Sequence, residues 1–242
     1  MRQAEKRLGF RIKHFEKKGI PVSKMLTEAE PEIPGLTDEQ IQQTKEKVFD
    51  NIVQCVEAKG YPMDSDEDYN MGMVTDLVML IFLPIMEAFR RGTTRLLSLQ
   101  REREIIAVDS EMGGIQDFVG VDFVAPGQRK FIFVVEATNS LVGQAKRKCL
   151  LALKDIGDNN DEGIVYGFVT TAEQWQVIRY DRDGTTFTQS DRFPVMFPGM
   201  GHEKERWMKE GALIVDFIHM VLRSGGFTAK KLKMEETKGR GG

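Results

Sequence analysis

Asp122 and Glu136 are the residues whose type and setting best suit chemistry. Glu136 ends the run "FIFVVE", five large apolar residues followed by a carboxylate. A lone carboxylate inside such a strand is costly unless it is paired or binds a cation. Side chains alternate along a strand. Ile132, Val134, Glu136 and Thr138 therefore share one face, and Phe131, Phe133, Val135 and Ala137 the other. Asp122 lies in "GVDFVAP", with thirteen residues between the two acids. It faces the same way as Glu136 if the hairpin register allows. Two carboxylates on adjacent strands, opening towards a helix N-terminus, can hold a divalent cation through oxygen ligands. Such a cation activates water and stabilises charge on a phosphate. The plain alternative is a rim carboxylate, with Glu136 paired to Arg129 or Lys146.

Those acids need strands and a helix to position them. The segments 104–112, 118–126 and 129–138 read as three strands, joined by turns at Gly113-Gly114 and Pro126-Gly127. A helix follows over 140–156, with Asn139 or Ser140 as its cap and Val142, Ala145, Cys149, Leu153 and Ile156 at helical spacing. A buried strand over 163–170 then completes a βαβ crossover, which requires a parallel pair. "WQVIRYD" and "TTFTQ" form a hairpin around Asp183-Gly184. Upstream, Thr37 and Gln40 form a capping box for a helix that stops at Gly60. The stretch 73–100 reads as a buried apolar helix containing Pro84, and 202–226 as a final helix. The fold class is α/β, a mixed sheet flanked by helices. Residues 1–70 read as a charged helical N-terminal extension and linker, 71–228 as the catalytic-type domain, and 229–242 as a basic tail outside the fold.

"VDFV", then "VVEAT", then a helix carrying "GQAKRK" resembles the PD-(D/E)XK, or restriction-endonuclease-like, nuclease superfamily. The resemblance covers 75–189, and the run "YGFVTTAEQWQVIRYD" is similar to endonuclease-like domains of eukaryotic Crinkler-type proteins. It implies a restriction-endonuclease-like sheet and Mg²⁺- or Mn²⁺-dependent hydrolysis of DNA or RNA. Asp122 and Glu136 would hold the metal, with the Ala137 carbonyl as a further ligand. The family's strand lysine falls at Thr138, which carries no charge. In some members that lysine stands on the following helix, where this chain has Lys146 and Lys148. Gln144 matches a family position near the catalytic centre. Lys148 lies about 40° from Gln144 around the helix and Lys146 about 200°, which favours Lys148. The family's first-helix acid maps to Glu87, ahead of Glu104 and Glu111.

Composition narrows the alternatives. The chain has 242 residues and a net charge of −3; residues 1–18 carry +5 and residues 229–242 carry +3, so the body between them is acidic at −11. An acidic body argues against a broad DNA-binding face. Cys55 and Cys149 have no metal-ligand spacing, and the three histidines form no zinc signature. No apolar leader is apparent, and the run 77–86 is too short to span a bilayer. The protein is therefore expected to be intracellular with no membrane role, and the Crinkler resemblance implies that it can act in a nucleus. The reading from a different class is a catalytically inactive nuclease fold that binds nucleic acid or a protein partner, a reading that Thr138 favours.

Overall fold

The structure, a computed structural model, describes residues 2–29, 33–62, 71–93, 95–105, 114–125, 128–160 and 163–224. The chain begins with α1 (Arg2–Leu8), α2 (Ile12–Phe15), β1 (Gly19–Ile20), α3 (Val22–Thr27), α4 (Asp38–Lys59) and α5 (Met71–Thr93). A meander follows: β2 (Leu97–Ile105), β3 (Gly114–Ala125) and β4 (Gln128–Ala137). After it come α6 (Val142–Asn159), β5 (Ile164–Thr170), β6 (Gln174–Asp181), β7 (Thr186–Ser190) and β8 (Phe193–Pro194). A 3-10 turn at Met200–His202 leads into α7 (Lys204–Glu210) and α8 (Leu213–Ser224).

The strands form one mixed sheet in the order β1-β7-β6-β5-β4-β3-β2, with β8 paired to β6. β2, β3 and β4 are antiparallel neighbours, and β4 and β5 are parallel across α6. Helices cover both faces. α5 buries Val78, Ile81, Phe82 and Phe89 in a core shared with Phe133, Val135, Phe168 and Trp175. α6 buries Cys149, Leu150, Leu153 and Ile156 against Val119, Val121 and Val134 on the opposite face. Each such side chain removed from water contributes about 1.5–3 kcal/mol.

Local chemistry explains the element boundaries. Thr37 Oγ1 accepts from the Gln40 N–H at 3.2 Å and Gln40 Oε1 accepts from the Thr37 N–H at 3.0 Å, a closed capping box at the start of α4. Gly60, at φ +85°, ends that helix. The helix expected over 73–100 stops at Thr93, because "LSL" starts β2: Leu97 and Leu99 face the core and Ser98 alternates with them. The expected first strand at 104–112 is thus β2, shifted towards the N-terminus, and residues 106–113 lie outside the described set. The final helix is interrupted at Gly211-Ala212, where Trp207 Nε1 donates to the Val195 carbonyl at 2.8 Å.

The first 59 residues are part of the domain rather than an extension to it. β1 pairs in parallel with β7, Gly19 opposite Gln189. Val22, Met25, Val48, Phe49 and Ile52 enter the main core. Arg7 forms an ion pair with Asp155 of α6. Apolar side chains in the expected linker (Val22, Met25) supply the burial that fixes it. The basic segment 229–242 lies outside the described residues. By length and composition α5 is apolar enough to cross a membrane, although half of its apolar window is buried in the fold; the span taken from sequence, 77–86, was only its middle.

Candidate active site

The acid beside Glu136 is Asp117, not Asp122. Across β3 and β4, Phe118 pairs with Val135 and Val119 with Val134, which puts Asp117 next to Glu136 at the end of the ladder. Val119 and Val121 pack towards α6, so Asp117 shares that face with Val134 and Glu136. Asp122 has the opposite parity and pairs with Lys130. Six residues, roughly 20 Å of strand, separate Lys130 from Glu136. Asp122 is buried in an ion pair with Arg95, and Leu97 is its neighbour on β2. The expected Asp122–Glu136 metal pair does not form, because strand parity and register put the two acids on different faces and towards opposite ends of the sheet.

A register shift between Gly120 and Val121 accommodates the meander. A Cβ on Gly120 would lie 2.2 Å from the Phe133 ring, so a glycine is needed where β4 presses in. Asp117 is held from the backbone as well: the Ala137 N–H donates to Asp117 Oδ2 at 2.9 Å.

α6 supplies the cation. Lys148 Nζ lies 2.7 Å from Glu136 Oε2 and 3.6 Å from Asp117 Oδ1. Lys146 points elsewhere: its buried Nζ donates to Gln189 Oε1 at 3.2 Å, beneath β7. Burial lowers the Lys146 pKa, with Glu16 opposing and Arg192 adding to the shift. Thr138 spends its hydroxyl on the chain turn. Thr138 Oγ1 accepts from the N–H groups of Ser140 and Leu141 at 3.3 and 3.1 Å. The α6 N-cap is Leu141, with no side-chain cap, so the expected capping by Asn139 or Ser140 is replaced by that turn.

These groups line a cleft of about 530 Å³ that also takes in Ala137, Gln144 and Arg147. Glu136 is 1% exposed, and its Oε1 has no hydrogen-bond partner. Burial raises the Glu136 pKa to about 8; Lys148 opposes the shift and Asp117 adds to it. Glu87 lies outside the cleft. It is bound by Lys47 at 2.7 Å and Arg91 at 2.8 Å on the surface of α5, in the same groove as Arg95. The Glu104 side chain and Glu111 lie outside the described set.

The donor set suits a hard cation. Asp117 and Glu136, the latter with an unpartnered Oε1, offer carboxylate oxygens at one cleft that Ala137 also lines. Among the described residues no group of three or more His, Cys, Asp or Glu side chains converges, so water would complete the coordination, as is usual for Mg²⁺. No family model, curated protein or solved structure matches the chain.

Asp117 was legible in one respect. Ala125 is the partner of Gln128. Counting outward from it places Asp117, not Asp122, opposite Glu136.

Proposed function

We propose that this protein is a divalent-metal-dependent nuclease of the PD-(D/E)XK type that hydrolyses phosphodiester bonds in DNA or RNA. The observation that carries this reading is the contact of Lys148 with both strand carboxylates, beside an unpartnered Glu136 oxygen. The order of elements supports it: helix, three-strand meander, crossover helix and parallel strand are those the superfamily uses around its site.

Asp117, Glu136 and the Ala137 carbonyl would hold Mg²⁺ or Mn²⁺. A cation there would supply a water of lowered pKa and compensate phosphate charge. The chain's own groups have separate tasks. Lys148 holds the attacking water or a non-bridging phosphate oxygen by a charge-assisted hydrogen bond. Gln144, exposed on the same helix face, orients the phosphate. In the reaction the water oxygen bonds to phosphorus, the scissile P–O bond breaks and the leaving oxygen takes a proton. The resemblance to Crinkler-type domains extends the reading to action in a nucleus.

The test is cleavage of single- and double-stranded DNA and RNA in Mn²⁺, Mg²⁺ or EDTA. Wild type should cleave only with metal, and Asp117→Asn and Glu136→Gln should not cleave. Robust cleavage in EDTA would refute the reading. The second reading, an inactive nuclease fold, is favoured by the loss of the strand lysine at Thr138. Metal binding without cleavage of any of the four substrates would select it.

A further inference from the structure

Gln144, Arg147, Lys148 and Leu151 fall at i, i+3, i+4 and i+7 on α6 and all line the cleft. The two cations of this stripe are in different states. Lys148 lies beside the carboxyl groups of Glu136 and Asp117. Arg147 has no ion pair among the described residues, and its Nε is buried without a hydrogen-bond partner. A guanidinium offers several donors in a fork that matches phosphate oxygens. In the same cleft Leu141, the N-cap residue of α6, is 57% exposed, one of five large apolar side chains left in water among the described residues. Asn139 and Ser140 stand beside it. The cleft therefore combines an exposed apolar side chain at the start of α6, two carboxylates and an uncompensated cation.

Resting on the nuclease reading, we propose that the cleft binds single-stranded nucleic acid, with Arg147 holding a backbone phosphate next to the scissile one and Leu141 packing against an unpaired base. The faces of stacked, paired bases are hidden inside a duplex. An apolar lip can reach a base face only when the strand is open. Arg147 supplies affinity, and Leu141 supplies preference for unpaired strands. Neither residue is needed to hold the metal.

The experiment is fluorescence anisotropy of labelled 20-nucleotide single strands and 20-base-pair duplexes, as DNA and as RNA, in EDTA over a salt series. Cleavage in Mn²⁺ is followed in parallel. Wild type should bind single strands more tightly than duplexes. Arg147→Ala should weaken single-strand binding about tenfold and flatten the slope of log K against log salt by about 0.7. Arg147→Lys should keep most of the slope. Leu141→Ser should lose about three- to tenfold on single strands with duplex affinity unchanged. Lys209→Ala, an exposed control on α7, should change neither, and melting curves confirm that each variant is folded. Cleavage by wild type with unchanged binding by both variants would overturn this subsite and leave the Asp117–Glu136 centre standing. A wild-type preference for duplex would overturn the single-strand assignment. A wild type that neither binds nor cleaves nucleic acid would refute the nuclease reading, and this inference with it.

Discussion

Lys148 Nζ lies 2.7 Å from Glu136 Oε2, and it reaches that oxygen from a helix rather than from the strand that carries Glu136. The cation beside these carboxylates is carried by α6 and not by β4. Lys148→Ala should therefore cost at least about 100-fold in turnover, the scale of one lost transition-state contact. Lys146→Met, whose parent nitrogen is bound to Gln189, should retain turnover. Turnover rates for both variants decide between them, and the opposite ranking would remove Lys148 from the mechanism.

The two aspartates of β3 should separate cleanly in thermal melts. A ligand binding only the folded state adds about 2.7 kcal/mol at 100 times its dissociation constant. Wild type should melt higher in Mn²⁺ than in EDTA. Asp117→Asn should lose most of that gain, and Asp122→Asn should keep it. An unchanged response in Asp117→Asn would show that Asp117 is no ligand.

Asp122→Asn should be unstable for a different reason. It leaves Arg95 without its buried counter-charge, a loss of about 3 kcal/mol for a pair shielded from water. If Asp122 shared a site with a second carboxylate, as its sequence setting suggests, the same change would relieve repulsion and stabilise the metal-free protein. Urea denaturation in EDTA gives the sign.

Glu136 should make metal-free stability fall as pH rises. Its pKa is near 4.5 unfolded and about 8 folded. Between those values the native state holds the extra proton, so unfolding free energy drops with increasing pH and levels off above about pH 8. The difference between wild type and Glu136→Gln, measured in EDTA from pH 5 to 9, should show this slope. A flat difference would mean that Glu136 ionises normally in the fold.

His219 gives the opposite sign at lower pH. Its Nε2 accepts the Leu36 N–H at 2.9 Å, and burial, aided by Arg223, lowers its pKa to about 4. Its stabilisation should be complete above the unfolded value near 6.5 and lost as pH falls towards 4. An NMR titration of the imidazole reads this directly; a midpoint near 6.5 would contradict the burial argument.

The sequence revealed the site in part, and the limits are physical. Periodicity located β4, α6 and β5, because each buries a regular face. Glu136 stood out because a carboxylate closing an apolar strand needs a partner. The choice between Asp117 and Asp122 depended on register, and a one-residue slip exchanges the faces of a strand. Counting from the Ala125–Gln128 pair gives the right acid because the two register shifts, at Gly120/Val121 and at Phe123/Ala125, cancel along the ladder. Helix phase favoured Lys148, and its contact with Glu136 follows that phase. Glu87 is a candidate only through the resemblance, as the acid of the first helix; its partners Lys47 and Arg91 come from another helix and from its own next turn. Residues 17–36 read as a linker because two glycines and three prolines interrupt them. Their pairing partner lies 170 residues away, between Gly19 and Gln189, beyond the reach of local patterns.

That same pairing sets an order of events during synthesis. β1 leaves the ribosome well before β7, its partner. The Leu36 N–H likewise waits for His219, 183 residues later. At typical translation rates this delay lasts roughly ten to thirty seconds. For that interval the apolar side chains of Val22 and Met25, destined for the core, remain available to chaperones. The edge of the sheet at β1 can therefore close only after β7 has been made, 170 residues later.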